Sequence, residues 1–470
     1  MKSTKINIQS LFSTHYFLLI IFSFPLLFNL FRPGFYSSDD GQWMAIRLTA
    51  FHESFRSGQI PVRWMSRLNH EYGYPVTNFL YPLPFYLAEP FYVLSGDPVL
   101  AIKIIMGLSV ISMAFGSFVL FKRWGTIAGA AGALAYVYSP YIAYNLYTRG
   151  SLGELAALGI VPWIFWALSH NRFLLSSIFI AGLITAHNVV AAVFLPLIVF
   201  YNIYNNYPAK QDPALRGKNY KIQAVSSLIL ALVLSSFFWL PALYEYRFVR
   251  ASQISVSDFG NEYLSLQKAF QRTGPVSVLA NFGLPLFFLT ENSKWFWDLF
   301  KPLQIIQFPW RFLSLFAFSS STVVALLIYV SRKNRFTQYS FITFIIFISA
   351  SSFLSPKSFI DLPPSYYQTN DDSTTVRSEY TPVWVKNLPL NRSEFPVKHF
   401  YPGLKLFVNG IEQPANLNSD NGELKPLDSR DNNRIKFIWS EAPLRVIADL
   451  ISVTGLLTVL FLFKRQQYKY

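Results

Sequence analysis

The stretch YFLLIIFSFPLLFNLFRPGFYSSDDGQWMAIRL, residues 16–48, passes from an apolar run directly into two adjacent carboxylates, Asp39 and Asp40. The uncharged run 16–31 approaches the ~20 residues that a bilayer span needs. It lacks a small-residue cleavage site, so it is read as a retained helix and not as a signal peptide. An aspartate placed just beyond such a helix has two readings. It caps the next helix, or it is a base working at the membrane surface.

The rest of the chain supplies the context. Of its 470 residues, 52% are hydrophobic and 14% charged. Soluble domains carry roughly a quarter charged residues. Runs such as AIKIIMGLSVISMAFGSFVLF (101–121) and IQAVSSLILALVLSSFFWL (222–240) mark an integral membrane protein. There is no cysteine, which excludes disulfides, thiol catalysis and thiolate metal sites. The net charge of +15 sits largely in short loops between apolar runs. There it sets orientation. No basic patch is interleaved with exposed aromatics, so no nucleic-acid partner is expected.

Placing the basic clusters Lys2/Lys5, Lys122/Arg123, Arg172, Lys210/Arg216/Lys218/Lys221, Arg332/Lys333/Arg335 and Lys464/Arg465 in the cytoplasm gives a consistent path. Helices are expected over 12–31, 99–121, 126–146, 152–169, a hairpin 173–204, 222–243, 311–330, 337–354 and 446–463, about ten crossings. FLYPLPFYLAEPFYVL (79–94), with three prolines and Glu89, fits an interfacial or re-entrant segment better than a span. Both termini are then cytoplasmic in a multi-pass plasma-membrane protein. Loops 32–98 and 244–310 and the polar segment 355–445 lie outside. Asn409-Gly410 predicts a type I′ hairpin, and RIKFIW (434–439) a further strand. The expected organisation is mainly α: a transmembrane domain over 1–354, a small extracytoplasmic β-domain over 355–445, and a closing helix with a tail over 446–470.

The unusual polar residues fall on the side of Asp40. After Gly41, Met44, Leu48, Phe51 and Phe55 form one apolar stripe, which predicts an amphipathic helix on the membrane surface. RGSLGE contributes Arg149 and Glu154 in an outer turn, and His187-Asn188 forms another. Glu245 and Arg311 stand at outer helix ends, and Arg63 lies in the first outer loop. Ionisable groups at membrane depth are costly and usually functional. Each has a structural alternative. His187 serves as a hydrogen-bonded turn residue, Arg149 and Glu154 as an ion pair, and Arg311 as a headgroup anchor.

An outward carboxylate beside arginines suits a substrate with an apolar tail and an anionic head. Arginine grips phosphate through its planar fork, and a placed carboxylate takes the proton of an attacking hydroxyl. This describes sugar transfer from a polyprenyl-phosphate sugar to an acceptor outside the membrane. A divalent cation, Mg or Mn, on Asp39, Asp40 and Glu154 is a further option that the spacing does not establish.

The acidic pair after one helix and before a surface helix is similar to the GT-C superfamily of integral-membrane glycosyltransferases. A wider set of segments resembles a bacterial membrane family labelled pyruvoyl-tetrahydropterin synthase related. These are SDDGQWMAIRLTAFHESFRSGQIPVRWMSRLNHEYGYPVTNFLYPLPFYLAEPF (38–91), YSPYIAYNLYTRGSLGE (138–154), AHN (186–188), FWLPALYE (238–245), QFPWRF (307–312), FYPGLKLFVNG (400–410) and APLRVIADLISVTGLL (442–457). The superfamily resemblance implies a GT-C-like fold, with Asp40 as general base and Asp39 as its neighbour or a metal ligand. It implies Glu154 as a second acidic residue, and Arg149, Arg311 and Arg63 on the donor phosphate, with His187, Asn188 and Glu245 in support. The pterin label does not fit the chemistry, because none of the six histidines shows paired ligand spacing on one element. No acceptor-binding motif like that of oligosaccharyltransferases is found. Two other classes stay in view: a transporter or flippase of lipid-linked glycans, and a non-catalytic cell-envelope scaffold.

Overall fold

The structure is a computed structural model that describes residues 14–205, 219–253, 262–274, 281, 284–334, 355–414, 421–426 and 434–467. The helix expected over 337–354 lies outside these. Helices dominate. Pro98–Trp124, Leu152–Ser169, Pro309–Lys333 and Pro443–Arg465 are long and apolar enough to cross a membrane. Phe17–Phe31, Thr126–Val137, Phe173–Ala186 and Asn188–Tyr204 are shorter and apolar. Leu83–Ser95 is a 13-residue helix closed by left-handed Gly96, short of a span.

The chain folds into two compact units. The first contains 1–41, 102–227 and 258–361, and the second 42–101, 228–257 and 362–470. Segment 362–445 therefore shares its unit with earlier chain. His399 N–H donates to the Tyr72 carbonyl at 2.8 Å, and Trp64 stacks on Trp439 at 5.8 Å.

In the first unit, Leu152–Ser169 packs on Phe173–Ala186 and on Asn188–Asn205. Thr126–Val137 lies against Leu313–Val330, with Ala128, Ala131 and Ala135 facing Val324 and Ile328. Small side chains permit that approach. The helix expected over 126–146 stops at Val137, because Pro140 disfavours helical backbone just before it. The chain resumes as Pro140–Ala143 and a π-helical turn, Tyr144–Arg149. Phe35–Tyr36 pairs antiparallel with Phe359–Ile360, in the register Tyr36↔Phe359.

The second unit corrects two expectations. Helix Gly41–Arg56 buries Met44, Leu48 and Phe51 as its stripe predicts, but Ile46, Arg47, Thr49 and Ala50 are buried as well. It is an internal helix and not a surface one. Residues 367–374 cover its polar face. Arg47 donates to Thr374 Oγ1 at 3.0 Å, and Thr49 Oγ1 donates to the Tyr367 carbonyl at 2.8 Å. The helix expected over 222–243 is broken, with Val225–Leu234 and Ser236–Phe248 bent by 70°. At the break, Ser235 Oγ donates back to the Ala231 carbonyl at 2.8 Å, a bond that bends helices. Pro241 offers no N–H to the Phe237 carbonyl, which instead accepts from Arg63 at 2.7 Å. The predicted hairpin forms: Leu404–Val408 pairs with Ile411–Gln413 and with Ile435–Trp439. Its turn carries Asn409 at φ 53° and Gly410 at φ 85°, as type I′ requires.

Candidate active site

The acidic pair is built by backbone pairing within the first unit. Asp39 N–H donates to the Thr148 carbonyl at 3.0 Å, and Asp40 N–H to the Arg149 carbonyl at 2.7 Å. Gly150 makes this approach possible. At its φ of +63°, an added Cβ would lie 2.6 Å from Ser38 Oγ and 2.7 Å from the Gly41 nitrogen. Gly150→Ala is therefore expected to cost more than the ~1–2 kcal/mol of left-handed backbone alone, since the clash adds to it. Thermal unfolding in detergent reads the loss, and an unchanged midpoint would mean that the two loops do not touch.

The capping question has an answer. The Gly41 N–H donates to Ser38 Oγ at 3.2 Å, so Ser38 caps the helix and both aspartates are released from that role. Asp40 turns to Arg149, 3.6 Å away, with its side chain 35% exposed. Asp39 is exposed. Partial burial and the adjacent Asp40 charge push its carboxyl above the ordinary aspartate range, while Arg149, Lys357 and Arg272 pull it down.

Beneath the pair sits a buried polar core. Glu154, in the first turn of Leu152–Ser169, is fully enclosed. It accepts from Arg149 and from the Tyr141 hydroxyl, each at 2.5 Å, and from Asn145 at 3.3 Å. Arg149 also donates to Asn145 Oδ1 at 2.9 Å, and its guanidinium lies 4.7 Å over the Trp310 ring. Arg149 ends a π-helical turn, a geometry frequent at functional sites. The guanidinium thus bridges Asp40 and Glu154. Among the described residues no three His, Cys, Asp or Glu side chains gather to hold an ion. Asp39, Asp40 and Glu154 do not form such a set, because Glu154 is spent on Arg149.

His187 and Arg311 belong to the same unit. The Val190 N–H donates to His187 Nδ1 at 3.2 Å, which is the turn role, and the charges of Arg311 and Arg149 reach the ring. Asn188 Oδ1 accepts from the Val189 N–H at 3.1 Å. Arg311 is buried, 5.0 Å over Phe308, and donates to the Ile306 carbonyl at 2.9 Å, so it is no headgroup anchor. Arg63 and Glu245 lie in the second unit, each matched there. Arg63 pairs with Asp449 at 2.6 Å and Glu441 at 3.2 Å, and Glu245 pairs with Arg445 at 2.7 Å.

Three residues near the pair escaped sequence reasoning. Trp310 carries Arg149 on its ring and donates Nε1–H to Glu262 at 3.1 Å. Arg272, on helix Leu266–Thr273, lies 4.8 Å over Tyr144 and 5.9 Å over Trp310. Lys357 immediately precedes Ser358, whose carbonyl accepts the Ser37 N–H at 2.9 Å. The QFPWR segment pointed towards Trp310, but no local signal links 272 or 357 to position 39.

The chain has distant likenesses among known proteins. The arabinofuranosyltransferase AftD from Mycobacteria superposes with a TM-score of 0.46 and 16% identity, over 75% of this chain and 29% of that one. The oligosaccharyltransferase AglB from Archaeoglobus fulgidus, solved with an inhibitory peptide and a dolichol-phosphate, gives a TM-score of 0.42 and 12% identity, over 78% of this chain and 61% of that one. A Lactococcus lactis subsp. cremoris (strain MG1363) relative, named only as an uncharacterized protein, is 22% identical over 264 residues. That match covers 53% of this chain and 42% of the relative, so the chain spans less than half of the relative's length. Residues 77–270 match the model of a family described as a 6-pyruvoyl-tetrahydropterin synthase related domain, a membrane protein.

Proposed function

We propose that this chain is a GT-C-type membrane glycosyltransferase that moves a sugar from a polyprenyl-phosphate donor to an acceptor outside the membrane. One observation carries the reading. Asp39 and Asp40 are freed from capping, held at the protein surface by two backbone hydrogen bonds, and set against the buried Arg149–Glu154 pair. A loop anchored this way presents carboxylates at a fixed place, which is what proton abstraction needs.

The structure favours dividing the roles differently from the sequence. Asp40, facing Arg149, supports developing positive charge on the sugar. Asp39, open and raised, takes the proton. In the step, the acceptor oxygen bonds to the anomeric carbon and the carbon–oxygen bond to phosphate breaks. The acceptor proton passes to Asp39, and the polyprenyl phosphate leaves with the bonding electrons. The setting we propose is a plasma-membrane protein with about ten crossings, both termini inside, and the acidic loop and the β-rich segment 355–445 outside.

Asp39→Asn is expected to lower transfer from a polyprenyl-phosphate sugar by roughly 10²–10⁴-fold while the protein stays monodisperse. Full activity in that variant would end the base assignment. The pH sign follows from the raised carboxyl. The base works only when deprotonated, so kcat/KM falls as pH drops through a value above the ordinary aspartate range. Asp39→Asn removes that acid limb. A second reading, a carrier of lipid-linked glycans, draws on the broken helix 225–248, a device of transporters. Glycan flux in proteoliposomes that survives Asp39→Asn would favour it.

A further inference from the structure

Each of the three arginines nominated for a phosphate is buried and already donates to protein oxygens. Arg149 binds Glu154 and Asn145, Arg311 binds the Ile306 carbonyl, and Arg63 binds Asp449 and the Phe237 carbonyl. Arg272 differs. Its guanidinium is half-buried against the Tyr144 and Trp310 rings, and among the described residues no carboxylate pairs with it. Stacking occupies the face of a guanidinium and leaves its edge N–H groups free for an anion. Lys357 is exposed and likewise unpaired among the described residues. Antiparallel register from Tyr36↔Phe359 places it across from Ser38, next to Asp39. Two uncommitted cations from separate elements therefore flank the acidic pair.

We propose that Arg272 and Lys357 grip the phosphate of a lipid-borne substrate beside Asp39. This deepens the glycosyltransferase reading and rests on it. The helix that carries Arg272 argues for a lipid and not a soluble phosphate. Leu266 and Phe270, one turn apart, are 57% and 46% exposed, while Ala269 is buried. They stand on the helix side turned away from Arg272, so an apolar chain leaving the phosphate reaches them by passing over the helix. Arginine supplies the bidentate fork, and lysine supplies a point charge for the remaining oxygen.

The test is equilibrium binding of radiolabelled polyprenyl monophosphate to the full chain in detergent, with inorganic phosphate as competitor. Each of Arg272→Ala and Lys357→Ala is expected to weaken binding roughly tenfold or more, and Arg272→Lys less. Lys357 is exposed, so its variant keeps the test open if Arg272→Ala fails to fold. Polyprenyl phosphate bound far more tightly than inorganic phosphate, and lost in the double variant, supports the proposal. Equal affinity for the two would overturn the lipid assignment. A folded double variant with binding within twofold of wild type would overturn the cation pair. Binding is read without turnover. Intact binding in the double variant together with inactive Asp39→Asn defeats this inference alone. Full transfer by Asp39→Asn defeats the functional reading instead.

Discussion

Glu154→Ala is expected to lower unfolding stability by about 3–5 kcal/mol, the usual cost of stranding a buried charge by removing its partner. Glu154 is fully buried and the Arg149 side chain is 8% exposed, so solvent screens neither. Without Glu154, Arg149 keeps Asn145 and a partner 3.6 Å away in Asp40, too little to neutralise it. The Tyr141 hydroxyl loses its acceptor as well. Because the Arg149 carbonyl accepts the Asp40 N–H, the acidic loop is expected to shift and transfer to fall with stability. Glu154→Gln, which keeps an acceptor for Tyr141, should lose less. Chemical denaturation in detergent measures the difference. A Glu154→Ala protein as stable as wild type would show that Arg149 is solvated and the pair is not the anchor of the loop.

Glu245→Ala is expected to be as costly, and for a structural reason. Glu245 Oε1 accepts from Arg445 Nε at 2.7 Å, and Oε2 accepts from Arg445 Nη2 at 2.9 Å. Oε2 also takes Asn78 and the Tyr401 hydroxyl, each at 2.9 Å. The Arg445 guanidinium lies 4.4 Å from the Trp439 ring and 5.5 Å from Tyr401, and its side chain is completely enclosed. This cluster ties helix Ser236–Glu245 to the start of Pro443–Gln467. Single removal leaves Arg445 charged and dry, a loss again of about 3–5 kcal/mol. Replacing both partners with apolar residues, Glu245→Leu with Arg445→Met, should recover much of it. A double variant no better than the single would mean that the hydrogen bonds, and not the stranded charge, set the cost. A Glu245→Ala protein of normal stability that lost transfer would restore Glu245 to the site.

Local pattern determined much of this protein. Apolar runs placed the helices at 98–121, 152–169 and 443–467, because burial in lipid or protein needs length and apolarity, and both are written along the chain. Asn409-Gly410 announced its hairpin, because only certain residues tolerate two successive positive φ angles. The Arg149–Glu154 pair was legible too, five residues apart across one short turn. Tertiary structure decided the rest. Whether an aspartate caps a helix depended on Ser38, a competitor with the same local credentials. The helix over 41–56 became internal because residues 367–374, more than 300 positions away, cover its polar face. The buried arginines were committed by carboxylates and carbonyls up to 386 residues distant, as with Arg63 and Asp449. Arg272 and Lys357 reach the acidic pair only through packing against Trp310 and pairing with residues 36–37. Periodicity encodes the face of an element, but the identity of what covers that face is settled by contacts between segments that the sequence keeps far apart.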